Sequence, residues 1–521
     1  MAPARTRSAS GRMTSLKLSP GSSITMAHTA LNRYLGLTLL LAFCWYFGPS
    51  LRHRGAPVSG LGSDLEQSNW IKEVLANNSI ETEVSFASRT LKYVPDAKER
   101  LPMTEVNQDL FPGGFTDINV GSDSPITLPS GSTLKVHVNK ILRPEDVNAS
   151  SLIFGVSTTF GRFNGAKTTP IKEWARWLTD GKGNSNGAGL ILALFNSTNA
   201  EINQAQERLT TAGINATVLA SNKTLDMPGR YVDLVQLLWN DPSRAERKYF
   251  ALIDDDTFFP NMPSLLDILH THNSSKPYYI GTITERTDWI IRDHTPMAYG
   301  GGGIFLTPPV ASTISSLPCL EKDSDGDYVL GGDQGDKLLY NCLHNYTEIS
   351  LTYEPRLNQE DEFGDPSGLY ESGRNLLSMH HYKSWHHTEP AKMHAVASAC
   401  GGDCVLQRFQ FNDNFIISNG WSVAQYPHGI DFDTALVEGT FELPNDYDLA
   451  DVLHLYAYGA LRKSLAKTGR KKGWNLLDAK EEGSGRVTQV YIKRRGDERW
   501  LKKGEEATYE RDGVIVLTWI P

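Results

Sequence analysis

The stretch KYFALIDDDTFF, residues 248–259, joins a short apolar run to three consecutive aspartates. Aromatic and branched side chains fill nearly every position from Lys248 to Ile253, which predicts a strand buried on both faces. The aspartates, residues 254–256, then follow its carboxyl end, the edge of an open α/β sheet where ligands bind. Carboxylate oxygens there favour Mg²⁺, Ca²⁺ or Mn²⁺ over softer metals. The competing interpretation is a solvated turn in which Asn261 caps the following helix.

Further apolar runs extend this pattern along the chain. SLIFGVST, residues 151–158, and GLILALF, residues 189–195, predict two more buried strands. Helical segments are expected between the strands, from Pro170 to a stop at Gly181, at 200–213 and at 231–239. Strands that alternate with helices predict an α/β fold with a doubly wound, mostly parallel sheet.

Pattern and composition divide the 521 residues into five segments. We predict a basic tail at 1–33, a transmembrane signal anchor at 34–50, a stem with an accessory segment at 51–150, an α/β catalytic domain at 151–398 and a mixed, strand-rich C-terminal module at 399–521.

The anchor prediction rests on the first fifty residues, which contain five basic residues and no acidic one. The apolar run YLGLTLLLAFCWYF, residues 34–47, is near the lower length limit of a membrane-spanning helix, so a cleaved signal peptide is the alternative. Bulky aromatic residues at its end suit a membrane interface better than a cleavage site. The basic side would stay cytosolic, which gives a single-pass type II protein with everything after about Ser50 in the lumen.

Glycosylation signals and cysteines agree with a secretory compartment. Asn-x-Ser/Thr acceptors occur at seven positions beyond the anchor, namely Asn77, Asn148, Asn196, Asn215, Asn222, Asn273 and Asn345. Outside the anchor there are four cysteines, an even number that suits two disulfides. Proximity pairs Cys319 with Cys342 and Cys400 with Cys404, although four cysteines allow three connectivities.

Several classes of protein are not supported. The net charge of −9 and the lack of a long basic block outside the tail argue against a nucleic-acid partner. Neither G-x-G-x-x-G nor a Gly-Lys-Ser/Thr phosphate loop is present, and His-Glu-x-x-His is absent. The loop from Asp323 to Asp327 has its glycine at the wrong position for an EF-hand.

Four clusters that can carry chemistry follow one another in order. They are Ser157, Thr158, Thr159 and Arg162 after the first strand; the aspartate triplet; Gly300 to Gly303; and Asp333 and Asp336 with the later His380, His381, His386 and His387. Hydroxyl and N–H groups can bind a diphosphate, and glycines allow a close approach to the backbone. A carboxylate can act as general base. A capping turn and a flexible turn are the plainer interpretations of the first and third clusters.

The motifs VSTTFGRF, IKEWARWL, YFALIDDDTFF, YGGGGIFL, GGDQG and SMHHYKSW, in this order and spacing, resemble the Fringe and core 1 galactosyltransferase group, family 31 of the glycosyltransferases, and especially its fungal branch. The resemblance covers about residues 151–387, and the C-terminal module lies outside the animal Fringe pattern. It implies a GT-A fold and a Golgi membrane enzyme. It also implies an inverting transfer of a hexose or N-acetylhexosamine from a UDP-sugar to a hydroxyl of a glycan acceptor, commonly as a β1,3 linkage, with Mn²⁺ or Mg²⁺.

The resemblance also implies roles for matching residues. The metal would be bound by Asp256, with Asp254 nearby and either His381 or His380 as the histidine ligand. Asp333 would be the catalytic base. Gly332 stands where the family often has another acidic residue, so Asp336 is the alternative base.

The implied donor-binding residues form a larger set. They are Ser157, Thr158, Thr159, Arg162, Asp254, Asp255, Gly301, Gly302 and Gly303. Ser157 and Thr158 would contact the uridine half, and the glycines would border the donor sugar. Two other classes are weighed against this enzyme: a lumenal carbohydrate-binding protein that kept the fold and lost turnover, and a metal-dependent hydrolase.

Overall fold

The computed structural model describes residues 60–126, 128, 133–139, 142–286, 289–290, 296–442, 458–482, 485–506 and 511–521. The chain divides into two compact units, Met1–Asn69 and Trp70–Pro521. The predicted basic tail and the predicted anchor, residues 1–50, lie outside the described residues. Within the described ranges, no helix has the length and apolar character that a membrane crossing requires.

The elements are numbered in chain order. The α-helices α1 to α11 are Gly60–Asn77, Phe160–Asn164, Ile171–Leu178, Asn199–Thr211, Met227–Trp239, Met262–His270, Pro308–Ser316, Gly335–Tyr346, Ser367–Tyr370, Pro390–Met393 and Ala397–Cys400. The strands β1 to β11 are Glu83–Pro95, Thr104–Val106, Thr116–Asn119, Leu134–Val138, Leu152–Thr159, Gly189–Phe195, Ala216–Ala220, Tyr249–Leu252, Tyr279–Gly281, Ile304–Leu306 and Leu351–Tyr353. The strands β12 to β21 are Phe363–Gly364, Arg408–Phe411, Phe415–Ser418, Ser422–Gln425, Val437–Gly439, Phe441–Glu442, Leu461–Lys463, Lys472–Glu482, Arg486–Lys493 and Asp512–Ile520.

A seven-stranded sheet has the order β11-β9-β10-β8-β5-β6-β7. Strand β10 runs antiparallel to both of its neighbours, and the other neighbouring pairs in this sheet are parallel. The prediction of a mostly parallel α/β sheet is therefore confirmed. From β5 the chain moves outward through β6 and β7 and then returns to β8 on the other side of β5. This reversal creates a crevice at the carboxyl ends of β5 and β8.

Both faces of this sheet are covered. Neighbouring residues on β5 enter different cores: Phe154 packs with Trp177 and Phe259, whereas Ile153 packs in the cluster that contains Leu234 of α5. This two-sided burial explains why the strands of the sheet are apolar at nearly every position.

A second sheet joins chain segments that are far apart in sequence. Its order is β2-β13-β14-β15-β19-β20-β21-β1-β3, and β4 also pairs with β1. Strand β1 runs parallel to β21, from Val84 opposite Asp512 to Lys92 opposite Ile520. The expected stem at 51–150 and the expected separate module at 399–521 thus differ from the structure, since strands of both segments share one sheet. Separate segments would leave long strand edges unpaired.

The largest hydrophobic core contains residues of both sheets. Tyr93 of β1 stacks on Trp519 of β21, with ring centroids 4.8 Å apart, and Leu152 and Phe154 of β5 belong to the same core. Disulfides join Cys319 to Cys342 and Cys400 to Cys404. The pairing predicted by proximity is confirmed.

Trp519→Ala should destabilise the whole second sheet. The side chain is fully buried, and its Nε1 donates to Oε1 of Gln489 at 2.6 Å. Removing a buried tryptophan costs about 3–5 kcal/mol, and Oε1 of Gln489 loses one of its two donors while keeping the hydroxyl of Tyr491 at 2.9 Å. We expect a lower urea midpoint together with faster hydrogen exchange in β1. Tyr346→Ala, which removes a ring that is 42% exposed, is the matched control. Loss of protection in β21 with β1 unchanged would contradict a shared sheet.

Candidate active site

A short backbone pairing brings two distant segments together beyond the end of β8. Phe258 donates its N–H to the carbonyl of Met379 at 2.9 Å, and Met379 donates to the carbonyl of Phe258 at 2.8 Å. Asp256 lies two residues before this bridge and His380 directly after it. The main chain therefore sets the spacing of these two side chains.

Asp256, His380 and His381 offer ligand atoms that all lie within 4.8 Å of one another. Nε2 of His380 is 3.2 Å from Oδ1 of Asp256 and 3.5 Å from Oδ2 of Asp254. Nδ1 of His380 donates to the carbonyl of Gln359 at 2.9 Å, because a carbonyl can only accept. Nε2 is thereby directed at the carboxylates, as in histidines that bind metals. Imidazole suits transition metals and carboxylate suits Mg²⁺ or Mn²⁺, so the mixed set fits Mn²⁺.

The carboxylates of Asp254 and Asp256 favour a positive charge at the position of His380. Burial lowers the pKa of His380, but the carboxylates of Asp256 and Asp254 outweigh burial, and the pKa is raised well above its ordinary value. Burial raises the pKa of Asp256, but the positive charge and the hydrogen bond of His380 lower it by more. The pKa of Asp256 is therefore well below its ordinary value. Without a metal, the imidazolium of His380 supplies the charge that these carboxylates need.

His381 is held by its own partners. Its Nε2 lies 3.1 Å from Oδ1 of Asp361, and its ring stacks on Trp385 with centroids 3.7 Å apart. Burial and the charge of His380 lower the pKa of His381 to about 3, which keeps the ring neutral. A neutral ring that donates from Nε2 to a carboxylate keeps its lone pair on Nδ1. Both histidines are therefore brought to the predicted metal group.

The three aspartates do different work. Asp255 accepts from Thr158 Oγ1 at 2.5 Å and from Nε and Nη2 of Arg162 at 2.8 and 2.5 Å. This carboxylate therefore links the segment after β8 to Thr158 in β5 and to Arg162 in α2. The side chain of Asp254, in contrast, is 42% exposed and lines the neighbouring cleft. Of the triplet, Asp254 and Asp256 border the site, and Asp255 supports it from behind.

The loop of Gly300 to Gly303 packs so closely against neighbouring side chains of the protein that larger residues would not fit. A Cβ on Gly301 would lie 2.1 Å from Nδ1 of His380, and one on Gly300 would lie 2.1 Å from the hydroxyl of Tyr231. The N–H of Gly302 donates to Oε1 of Gln359 at 2.8 Å. Backbone can thus lie directly against the imidazole of His380, which no larger residue would permit.

A cleft of about 300 Å³ opens beside the metal group. Asp336, in the first turn of α8, lines it, and the N–H of Gly300 donates to Oδ2 of Asp336 at 3.4 Å. Burial and the charge of Asp254 raise the pKa of Asp336 to about 7. The side chain of Asp333 is instead 81% exposed and pairs with Nζ of Lys337 at 3.4 Å. Asp333 is not among the residues that line the cleft.

Of the first predicted cluster, Ser157 to Thr159 with Arg162, only some residues contact the aspartates. Thr158 and Arg162 contact Asp255 as described, while Ser157 and Thr159 do not line the cleft. Thr159 caps α2 by accepting the N–H of Arg162 at 3.3 Å. The capping interpretation of this turn therefore holds for Thr159.

Several cleft residues were not predicted from the sequence. Those with prominent side chains are Tyr231, Trp289, Tyr299, Gln359, Asp361 and Trp385. Gln359 and Asp361 belong to NQEDEF, residues 358–363, whose polar members are nearly all buried. Buried Glu285 holds this segment by accepting the N–H groups of Gln359 and Asp361 at 3.0 and 3.2 Å. The acidic run Glu360 to Glu362 was the available signal.

No protein-family model and no curated protein matches the chain. Solved structures that share partial similarity include the glycosyltransferase GlyE of Streptococcus pneumoniae TIGR4, with 10% identity, a TM-score of 0.27 and coverage of 39% of this chain and 45% of that one. Galactosyltransferase LgtC in complex with donor and acceptor sugar analogues has 10% identity, a TM-score of 0.30 and coverage of 44% and 86%. Mannosyltransferase PcManGT of Pyrobaculum calidifontis in complex with GDP-Man and Mn²⁺ has 9% identity, a TM-score of 0.25 and coverage of 45% and 63%.

The chain thus spans less than half the length of GlyE. At TM-scores of 0.30 and below, these similarities carry no argument about the fold or the activity of this chain.

Gly301→Ala should weaken metal binding without altering any ligand, because the new methyl group would displace the ring of His380. Disturbing the residues that orient a metal ligand costs about 10- to 100-fold in affinity. Titration calorimetry with Mn²⁺ measures the change. Gly161→Ala is the matched control, since no atom lies within 4 Å of a Cβ there. Equal Mn²⁺ affinity in both variants would show that His380 is not a ligand.

Proposed function

We propose that this chain is an inverting, metal-dependent glycosyltransferase. It moves a hexose or N-acetylhexosamine from a UDP-sugar to a hydroxyl of a glycan acceptor, as a β1,3 linkage, in line with the resemblance of its motifs to glycosyltransferase family 31. One observation carries the proposal: the group of Asp256, His380 and His381 borders a cleft whose wall also holds the carboxyl group of Asp336.

In this proposal Asp256 holds the metal together with His380 and His381, and Asp254 faces the donor from the rim of the cleft. Two observations support the proposal. The hydrogen bond of Nδ1 to Gln359 directs Nε2 of His380 at the carboxylates, and the negative charges of Asp256 and Asp254 favour a positive charge beside them. When bound, a divalent cation stabilises the negative charge that develops on a diphosphate leaving group.

Asp336 acts as the general base. Its position in the cleft and its raised pKa suit a carboxylate that accepts a proton near neutral pH. It takes the proton of the acceptor hydroxyl while that oxygen bonds to the anomeric carbon, and the bond from this carbon to UDP breaks on the opposite face. One displacement inverts the anomeric configuration. The resemblance first favoured Asp333, but its exposure and its pairing with Lys337 place it behind Asp336 as a candidate.

The cellular setting is proposed from the sequence. A basic N-terminal tail with an apolar segment at 34–50, seven glycosylation signals and an even number of cysteines after the anchor suit a single-pass type II protein of the Golgi membrane. The pairing of those four cysteines in two disulfides agrees with an oxidising compartment.

Asp336→Asn should lower the rate of UDP release in the presence of Mn²⁺, acceptor and the best UDP-sugar of a donor screen. The amide keeps the shape of the side chain but cannot accept the proton, and a general base contributes about 10²- to 10⁴-fold. Asp333→Asn, on the same loop, is the control and should retain turnover. The reverse pattern would restore Asp333 as base. Nucleotide binding without turnover in the wild type, across all donors, would favour a carbohydrate-binding protein instead.

The pH dependence of kcat/KM gives a separate test of the base. Asp336 must be unprotonated to work, so activity should fall as the pH drops below about 7, where the raised pKa of its carboxyl lies. A bound divalent cation would draw this midpoint downward, towards the ordinary range of a carboxyl. Stopped assays from pH 5 to 8 follow the acidic limb, which Asp333→Asn should preserve. A flat profile, or a limb that disappears in Asp333→Asn, would exclude Asp336 as the titrating base.

A further inference from the structure

A second cleft lies on the ten-stranded sheet, in a row of residues that face one another across neighbouring strands. Lys493 of β20 is opposite Gly513 of β21, Gly513 is opposite Ser85 of β1, and Ser85 is opposite Asp117 of β3. Residues that are directly opposite point to the same face of a sheet. Four strands therefore contribute to one continuous surface.

Small residues form the floor of the cleft in the middle of this row, and aromatic rings form one of its walls. Gly513 and Ser85 form a floor of small residues, and the indole of Trp474 on β19 leans over it, since a Cβ on Gly513 would lie 2.8 Å from its Nε1. Phe115 stacks on Trp474, with ring centroids 5.5 Å apart and planes 22° apart. The resulting cleft has a volume of about 440 Å³, enough for one or two sugar rings on the scale of ordinary ligand sites.

The indole N–H of Trp474 is a buried donor that aims at this floor. Trp474 is 5% exposed, and among the described residues its Nε1 has no hydrogen-bond partner. Burying a donor without an acceptor is unfavourable. A ligand oxygen above Gly513 would supply the missing acceptor.

The rim of the cleft is positively charged. Lys472, Lys493 and Arg511 line it together with Asp117. Nη1 of Arg511 lies 2.9 Å from the carboxylate of Asp117 and 3.5 Å from that of Glu83. Within the described ranges no ion pair or hydrogen bond engages the ammonium group of Lys472. Among these described side chains, three carry a positive charge and two a negative charge, in a chain whose net charge is −9.

We propose that this basic cleft, which Gln425 also lines, binds an anionic saccharide. An aromatic wall packs against the C–H face of a sugar ring, and the indole N–H and the amide of Gln425 bind hydroxyl oxygens. The lysines bind the carboxylate, phosphate or sulfate of the sugar. Its lining residues are separate from those of the candidate active site, so the inference stands whether or not the proposed transfer occurs.

Calorimetric titration of the full chain with three anionic oligosaccharides tests the inference. The probes are a tetramer of galacturonic acid, a phosphorylated mannose oligosaccharide and a sulfated dextran oligosaccharide, each beside its neutral counterpart. We expect at least one anionic member to bind with a Kd below about 1 mM and its neutral counterpart to bind about tenfold more weakly or worse, since a charged contact contributes that much.

Lys472→Glu should weaken the preferred anionic saccharide by about tenfold or more, and Lys493→Gln should weaken it as well. Lys92→Glu reverses an exposed lysine further along β1 and should leave binding unchanged. Thermal melts verify that each variant is folded.

Three outcomes overturn the proposal. They are no binding by any of the anionic saccharides, equal binding in Lys472→Glu and the wild type, and binding of hexaglutamate or inorganic phosphate as tight as that of the best saccharide. The last result would mean that the cleft recognises charge without recognising a sugar.

Discussion

The buried imidazole of His380 is the point on which the site depends. Its Nδ1 is fixed by the carbonyl of Gln359, its Nε2 faces Asp256 and Asp254, and the backbone of Gly301 packs against the ring. Two carboxylates beside one another in a buried place repel unless positive charge separates them. The protein meets this need with an imidazolium when no metal is bound, and the same geometry suits a divalent cation.

The main chain makes this arrangement possible. The Phe258–Met379 bridge sets the two segments side by side, and Asp255 ties the triplet to Thr158 and Arg162 at the end of β5. The three aspartates therefore point in different directions. The carboxylate of Asp255 faces β5, that of Asp256 faces the imidazole of His380, and that of Asp254 faces the cleft. The triplet lies in a turn after β8, in which the N–H of Thr257 donates to the carbonyl of Asp254 at 3.2 Å, so the three neighbouring side chains point in different directions.

Local sequence was sufficient for the three central strands β5, β6 and β8 and for their carboxyl ends. GLILALF is strand β6, Gly189–Phe195, because its burial on both faces leaves a continuous apolar run. It was insufficient for the second sheet. Strand β19, Lys472–Glu482, is partly exposed and largely polar, and β1 pairs with β21 more than four hundred residues later. Such pairings depend on long-range contacts that no short window of sequence contains. Local sequence could not place Asp333 and Asp336 relative to the cleft for a related reason. Helix α8 begins at Gly335, where a Cβ would lie 2.2 Å from Tyr231, and this close approach carries Asp336 into the cleft while Asp333 stays on the loop outside.

The direct test of this account is the position of the metal. Crystals grown with Mn²⁺ and UDP, measured at the manganese absorption edge, would locate the ion by its anomalous signal. We expect a peak within about 2.5 Å of a carboxylate oxygen of Asp256 and of a ring nitrogen of His380 or His381. UDP in the cleft with no manganese at these residues, or manganese bound elsewhere, would contradict it.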